Sequence, residues 1–336
     1  MKRIGNLYSK VISVENLQLA DSNARKGKLK SYGVRRHDKN REQNILDLHN
    51  SLKNKTFRNS KYDTFKIYEP KERIIFRLPY YPDRIVHHAI MNVLEPIWLS
   101  VFTKDTYSCI KNRGIHAAAR SIKKALRKDI KGTSYCLKID IKKFYPSISH
   151  DILKTVIRKK LKDKDLLWLL DEIIDSAEGV PIGNYLSQYF ANLYLAYFDH
   201  WLKEEKRVKY YWRYADDMVM LSDNKELLHE LLHDIREYID INLGLKVKEN
   251  YQVFPVMSRG IDFLGYVFFH THTRLRKGIK KNMFRKIYTL NRVRPYLGRD
   301  VYVRSLASWN GWCKHCDSKR LLNKLFKEIR YDIRFN

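Results

Sequence analysis

Two adjacent acids, Asp216 and Asp217, interrupt the stretch Arg213-Tyr214-Ala215-Asp216-Asp217-Met218-Val219-Met220-Leu221. An aromatic run (Tyr210, Tyr211, Trp212, Tyr214) precedes them and an apolar run follows. Both flanks have the composition of strands, which predicts a hairpin with the acids at its turn. Neighbouring carboxylates repel, and burying them is costly unless a cation sits there. Hard oxygen ligands of this kind suit Mg²⁺ or Mn²⁺. By themselves the same residues also read as an ordinary acidic turn.

A third acid tips the balance. Tyr135 to Ile141 alternates like a strand, with Leu137, Ile139 and Ile141 expected on a buried face and Lys138 and Asp140 on an open one. Asp140 is then a lone acid projecting from a strand, the ligand that Asp216 and Asp217 lack.

The segments around these acids must position them. Tyr68 to Arg77 alternates charge and apolarity like a hairpin, and Arg84 to Leu94 and His116 to Arg127 read as helices. Lys71, Arg73, Arg77, Lys111 and Arg113 form cationic groups on two loops that could grip a triphosphate; singly, each also reads as a solvated surface charge. Asp151 to Leu161 is expected to be helical. Gly179-Val180-Pro181-Ile182-Gly183 is loop chemistry leading into a helix whose stripe is Leu186, Tyr189, Phe190, Leu193 and Tyr197. Ile182, Gly183, Ser187 and Gln188 lie at its start, where a backbone can approach a ligand; Pro181 and Gly183 also read as a plain helix start. Glu226 to Leu243 is expected as an amphipathic helix, Lys246 to Val253 as a strand, and Ile261 to Tyr266 as the start of a hairpin. Near the N-terminus, Ile45, Leu48 and Leu52 fit a packed helix, and the basic run from Ala24 to Lys30 reads as a phosphate-facing surface or a solvated linker.

Composition points the same way. The 336 residues carry 66 Lys and Arg against 37 acids, a formal charge of +29. Such an excess points to a polyanionic partner, most simply nucleic acid, or else to a ribosome-associated or merely very basic protein, and the length suggests roughly two domains. The 23 Tyr, 14 Phe and 6 Trp exclude a merely disordered basic tail. The four cysteines are too few for a disulfide scaffold; Cys313 and Cys316 form a C-x-x-C without a second cluster and are expected as free thiols in a helix. With no long apolar window and no signal-peptide core, the chain is expected to be cytoplasmic, without a membrane partner.

The order of these pieces resembles the reverse transcriptases. L-K-I-D-I-K-K-F-Y-P-S-I around Asp140, G-V-P-I-G-N-Y-L-S-Q, Y-A-D-D and F-L-G-Y are similar to successive palm motifs of that family. R-I-I-F-R-L-P-Y and T-Y-S-C-I-K-N-R-G resemble its fingers, and S-W-N-G-W-C-K-H-C-D-S its thumb. The resemblance implies an α+β right-hand polymerase: a basic N-terminal extension over 1–64, fingers over 65–134, palm over 135–269 (with fingers helices near 150–180) and a helical thumb over 270–336. It implies two Mg²⁺ ions, with Mn²⁺ possible, held by Asp140, Asp216 and Asp217 and by the carbonyl of Ile141. It implies a steric gate at Tyr145, a triphosphate met by the cations named above, and nucleotide contacts from Ile182, Gly183 and Gln188. Many family members carry a lysine after Y-A-D-D that can protonate pyrophosphate; Tyr251 occupies that slot here, which leaves the role to Lys248.

Most bacterial members read P-Q-G and then S-P where this chain has Pro181-Ile182 and Ser187-Gln188. That form, with N-L-Y-x-K-V-I-S-V-E-N-L and A-R-K-G-K near the N-terminus, resembles the enzymes of diversity-generating retroelements. A nuclease motif or maturase extension after the thumb and the V-T-G of retron enzymes are missing from the sequence. The implied partners are template RNA, the RNA/cDNA duplex, deoxynucleoside triphosphates and a small basic accessory oligomer, in a bacterial or phage-infected cell. Competing expectations are a reverse transcriptase of a defence or unclassified retroelement, an inactive RNA-binding relative, and a palm enzyme of another class such as a nucleotide cyclase.

Overall fold

The computed structural model describes residues 3–68 and 72–329. The chain forms two compact units. One comprises residues 1–109, 141–206 and 235–248; the other comprises 110–140, 207–234 and 249–336.

In the first unit the N-terminal segment is helical. Helices Tyr8–Ile12, Val14–Ala24, Tyr32–Asp38 and Arg41–Lys53 precede the antiparallel hairpin of β1 (Asp63–Ile67) and β2 (Arg73–Arg77). Ile45, Leu48 and Leu52 are buried, as their spacing predicts. Leu17 and Ala20 are fully buried, and their helix packs along Ile85–Leu99, the helix expected from 84 to 94. Asn16 Nδ2 ties the two, donating to the carbonyls of Val11 (2.8 Å) and Ala89 (3.0 Å). Asp163 caps the Lys164–Ile174 helix and also accepts from the backbone N–H of Leu7 (2.6 Å) and Tyr8 (2.9 Å), which anchors the start of the chain. The short β3 (Thr106–Tyr107) and helices His150–Arg158 and Tyr185–Tyr194 also belong to this unit. The Tyr185–Tyr194 helix carries the predicted stripe but ends at Leu195, so Tyr197 falls on a separate turn, Ala196–His200.

The second unit holds β4 (Tyr135–Asp140), β5 (Tyr210–Tyr214), β6 (Asp217–Ser222) and β7 (Gln252–Pro255), in the order β5-β6-β4-β7 with every pair antiparallel. Met218 to Leu221 are all buried, so β6 is covered on both faces and its sequence is apolar throughout. β8 (Ile261–Phe263), β9 (Tyr266–Phe268) and β10 (Thr273–Leu275) form a second small sheet. Helices Lys277–Tyr288, Arg299–Cys313 and Lys319–Phe326 follow. The α+β class is as expected.

Two expectations need correction. The strand expected over 246–253 is confined to β7 at 252–255, with Val247 making only an isolated bridge to Ile141, because Glu249 and Asn250 form a turn between them. The face bearing Asp140 is not open: Asp140 and Lys138 are half-buried and Cys136, on the same face, is fully buried. Cys313 is a buried helical thiol and Cys316 lies just beyond the helix; both are free. Among the described residues no helix is long and apolar enough to cross a membrane.

Candidate active site

The acids come together at one end of the strands β5, β6 and β4. β5 and β6 are joined by Ala215 and Asp216, and Ala215 takes the left-handed φ of +54° that closes so short a turn. An alanine there costs about 1–2 kcal/mol, a strain that the strands on either side must hold. In register, Asp140 on β4 lies directly opposite Asp217 on β6. Like charges directly opposed across a sheet are destabilising. Burial, reinforced by the charges of Asp140 and Asp216, pushes the Asp217 carboxyl up to about 7, against the opposing pull of Lys138. Its Oδ1 is buried without a hydrogen-bond partner.

Buried, crowded carboxylate oxygens are a donor set for a hard divalent ion. Among the described residues no three His, Cys, Asp or Glu side chains converge to hold one ion. The acids therefore fit Mg²⁺ as an open site rather than a closed cage, which is the usual way Mg²⁺ is held, by one or two carboxylates with water and substrate phosphates.

Two cations lie beside the acids. Lys138 Nζ lies 3.9 Å from Asp217 Oδ2 and donates to the carbonyl of Asp262 at 2.5 Å. Asp262 Oδ1 in turn accepts from Arg276 Nε at 2.5 Å. The signal for Lys138 was its place two residues before Asp140, hence on the same face. Arg213 is fully buried on the opposite face of the sheet and donates from Nη1 to the carbonyl of Ala215 at 3.1 Å, bracing the strained turn. A charged residue in the run of strand aromatics was its only sequence sign.

The remaining predicted residues divide between the units. Lys111, half-buried Arg113 and the three acids lie in the second unit. Arg73, Arg77, Ile141, Tyr145, Ile182, Gly183, Gln188 and Lys248 lie in the first, and Lys71 falls outside the described residues. Arg73 and Arg77 are exposed at the two ends of β2, with Arg77 paired to Asp63. Ile182 is brought to that strand, its carbonyl accepting from Phe76 N–H at 2.8 Å. Gly183, with φ of +127°, lies so close that an added Cβ would collide with the carbonyl oxygen of Phe76. Gly183 and exposed Gln188 help line a recess of about 200 Å³ with Lys28, Arg84 and His87. Tyr145 is half-buried, its ring edge-on to Phe144 at 5.4 Å, and its carbonyl accepts from Val180 N–H at 2.9 Å. Ile141 is fully buried, and Lys248 is half-buried one residue after the bridge at Val247.

Residues 66–268 match the family model described as "Reverse transcriptase (RNA-dependent DNA polymerase)". Protein YkfC of Escherichia coli (strain K12) is 24% identical over 273 residues, covering 67% of this chain and 70% of that protein. Group II intron-encoded protein LtrA of Lactococcus lactis subsp. cremoris is 26% identical over 140 residues, 38% of this chain but only 23% of LtrA. An apo telomerase from Candida Tropicalis, truncated from its C-terminal domain, aligns at 15% identity over 66% of this chain and 55% of its own, with a TM-score of 0.48, too slight a likeness to carry weight. The family match spans more than half of the sequence and contains all three acids of the sheet: the chain belongs to the reverse transcriptases, the RNA-dependent DNA polymerases, and its α+β fold is of the right-hand polymerase class.

Proposed function

We propose that this protein is the polymerase of a diversity-generating retroelement, copying a template-repeat RNA into cDNA with errors concentrated opposite template adenines. The observation that carries this reading is the placement of Ile182. It is half-buried and clamped by its carbonyl to β2, the strand that bears Arg73 and Arg77. By resemblance to the family's motif, a branched apolar side chain stands where a glutamine is usual and brings no hydrogen-bonding capacity. Base selection then leans on pairing geometry, and each tenfold in misincorporation corresponds to about 1.4 kcal/mol.

Asp140, Asp216 and Asp217 would hold the divalent ions, and a carbonyl ligand is assigned to Ile141 by resemblance alone. When bound, such ions activate the primer 3′-hydroxyl and stabilise the departing pyrophosphate oxygens. Lys138 limits the repulsion among the acids and Arg213 keeps the turn in its strained shape; Arg73, Arg77, Lys111 and Arg113 are assigned to triphosphate charge by resemblance. Lys71 and Lys248 are assigned to the triphosphate and to the leaving group by resemblance. Template RNA, deoxynucleoside triphosphates and a small basic accessory oligomer are the partners this reading requires.

Ile182→Gln tests it. Sequencing of cDNA made by both proteins on one RNA is expected to show frequent adenine errors from the parent and fewer from the variant. Equal adenine error rates would remove Ile182 from the explanation, and uniformly low rates would remove the retroelement assignment. The likeness to LtrA favours a second reading, an intron-type reverse transcriptase. Paired near-identical repeats differing at adenines beside the gene support the first reading, and an enclosing intron supports the second.

Tyr145→Ala is expected to admit ribonucleotides, lowering discrimination against them about 10- to 200-fold, the scale of a steric clash removed from a pocket. The ring lies beside Phe144 and belongs to none of the metal-holding residues. Competition between deoxy- and ribonucleotides measures the effect; unchanged discrimination would make Tyr145 a packing residue.

A further inference from the structure

We infer that Tyr62 and Asn184 are positioning residues for nucleotide selection: the hydrogen bond between them fixes the turn that carries Ile182 and Gly183 against the β1–β2 hairpin. The inference rests on the polymerase reading above, in which that turn meets the nucleotide, and adds two residues which that reading does not use.

Asn184 occupies the N-cap position of the Tyr185–Tyr194 helix, with the extended backbone of a capping residue (φ −83°, ψ 146°). Asparagine is favoured there because its side-chain oxygen can accept from the first turn. In this chain the side chain makes no such bond. Buried, it turns away and donates from Nδ2 to the Tyr62 hydroxyl at 2.6 Å. A local cap is exchanged for a bond to a residue 122 positions away. The helix gains nothing from that exchange; what it secures is the place of the helix start relative to the hairpin.

The bond has one polarity. Ser176 Oγ donates to the carbonyl of Ile173 at 2.6 Å, which uses its only proton. The Tyr62 hydroxyl, 2.8 Å from Ser176 Oγ, therefore donates to it, and the Tyr62 oxygen is left to accept from Asn184. Burial raises the pKa of Tyr62, so this hydroxyl keeps its proton at neutral pH.

Tyr62 immediately precedes β1, and its ring stands edge-on to Phe76 of β2 with centroids 5.5 Å apart. Phe76 is the residue whose N–H donates to Ile182 and whose carbonyl oxygen crowds Gly183. The turn is thus held to the hairpin twice, by main chain through Phe76 and by side chain through Tyr62. A single hydrogen bond leaves a turn free to pivot, and a second one two residues along removes that freedom. The start of the hairpin is pinned in turn, with Ser60 N–H donating to buried Asp83 at 2.9 Å. Such placement matters, because a misplacement of about 1 Å can lower a rate about a hundredfold.

The test uses the full chain on a primed RNA, with single-nucleotide addition, thermal melting and sequencing of the cDNA. Tyr62→Phe removes one oxygen and keeps the ring against Phe76. KM for the incoming deoxynucleotide is expected to rise about 5- to 30-fold with kcat little changed, the scale of one neutral hydrogen bond lost with its partner left buried. Misincorporation is expected to rise opposite all four template bases, because a loosened turn discriminates less whichever base is copied. Asn184→Ala should do the same, and the double variant should be no worse than the more affected single one, since either change breaks the same bond. A bond that serves stability alone would lower melting and kcat together and leave KM and the error spectrum as in the parent. That outcome would overturn the inference, as would additive effects in the double variant. Should Asn184→Ala fail to fold, Tyr62→Phe decides alone. Failure of the parent to extend any primer would overturn the polymerase reading and the inference with it. Absence of an adenine excess among the parent's errors would count against the retroelement assignment only, and the KM comparison would still decide the role of Tyr62.

Discussion

Replacing Asp216 and Asp217 together by alanine is expected to abolish DNA synthesis on a primed RNA while leaving folding and RNA binding intact. A loss of at least about a thousandfold, or about 4 kcal/mol of transition-state stabilisation, is the scale for removing the charges that hold the metal ions. Ordinarily, emptying a half-buried position costs stability. Here the loss is offset, because Asp217 faces Asp140 across the sheet, is crowded by Asp216, and leaves Oδ1 buried without a hydrogen bond. Removing like charges so placed relieves repulsion and desolvation together. Neither side chain belongs to the apolar layer formed by Met218, Met220, Leu137 and Ile139. Primer extension, circular dichroism and RNA binding, measured on the same preparation, check the three parts. Normal extension by the double variant would sink the assignment of these acids.

Gly183→Ala is the second substitution with a large expected effect, and it acts through packing. The Ile182-Gly183 segment meets β2 backbone to backbone, with Phe76 N–H donating to Ile182 and the Phe76 carbonyl occupying the space a Gly183 Cβ would need. The φ of +127° is one that L side chains rarely adopt. Strain and overpacking together are expected to cost about 2–5 kcal/mol and to displace Ile182 from the strand carrying Arg73 and Arg77. Thermal melting should fall and extension with it. Gly311 provides the contrast: it lies within a helix with nothing within 4 Å of its Cβ position, so Gly311→Ala should stabilise by up to about 1 kcal/mol. A Gly183→Ala protein that melts like the parent would show that the close approach is not needed.

Much of this was legible in the chain because it is local. The hairpin carrying Asp216 and Asp217 follows from strand formers on either side of two acids, and β4 follows from alternation. The Lys225–Leu243 helix lies within one residue of its predicted start and is capped by Asn224, whose side chain accepts from Glu226 N–H. The strand expected over 246–253 fails at Glu249 and Asn250, two polar residues that form a turn, and only the stretch from Gln252 pairs with β4. Arg213 was passed over because a buried arginine is identified by what surrounds it, and most arginines are exposed.

The sequence by itself therefore determined the element types, the three acids and the family they mark. Tertiary structure decided the rest: the order β5-β6-β4-β7, the register that puts Asp140 against Asp217, the contact of Gly183 with Phe76, and the gathering of Lys28, Arg35, Lys61 and Arg84 around one recess. The division has a physical cause. Propensity and periodicity act between residues a few positions apart, whereas register and close backbone approach are chosen by whichever distant pairing buries the apolar faces and satisfies the backbone.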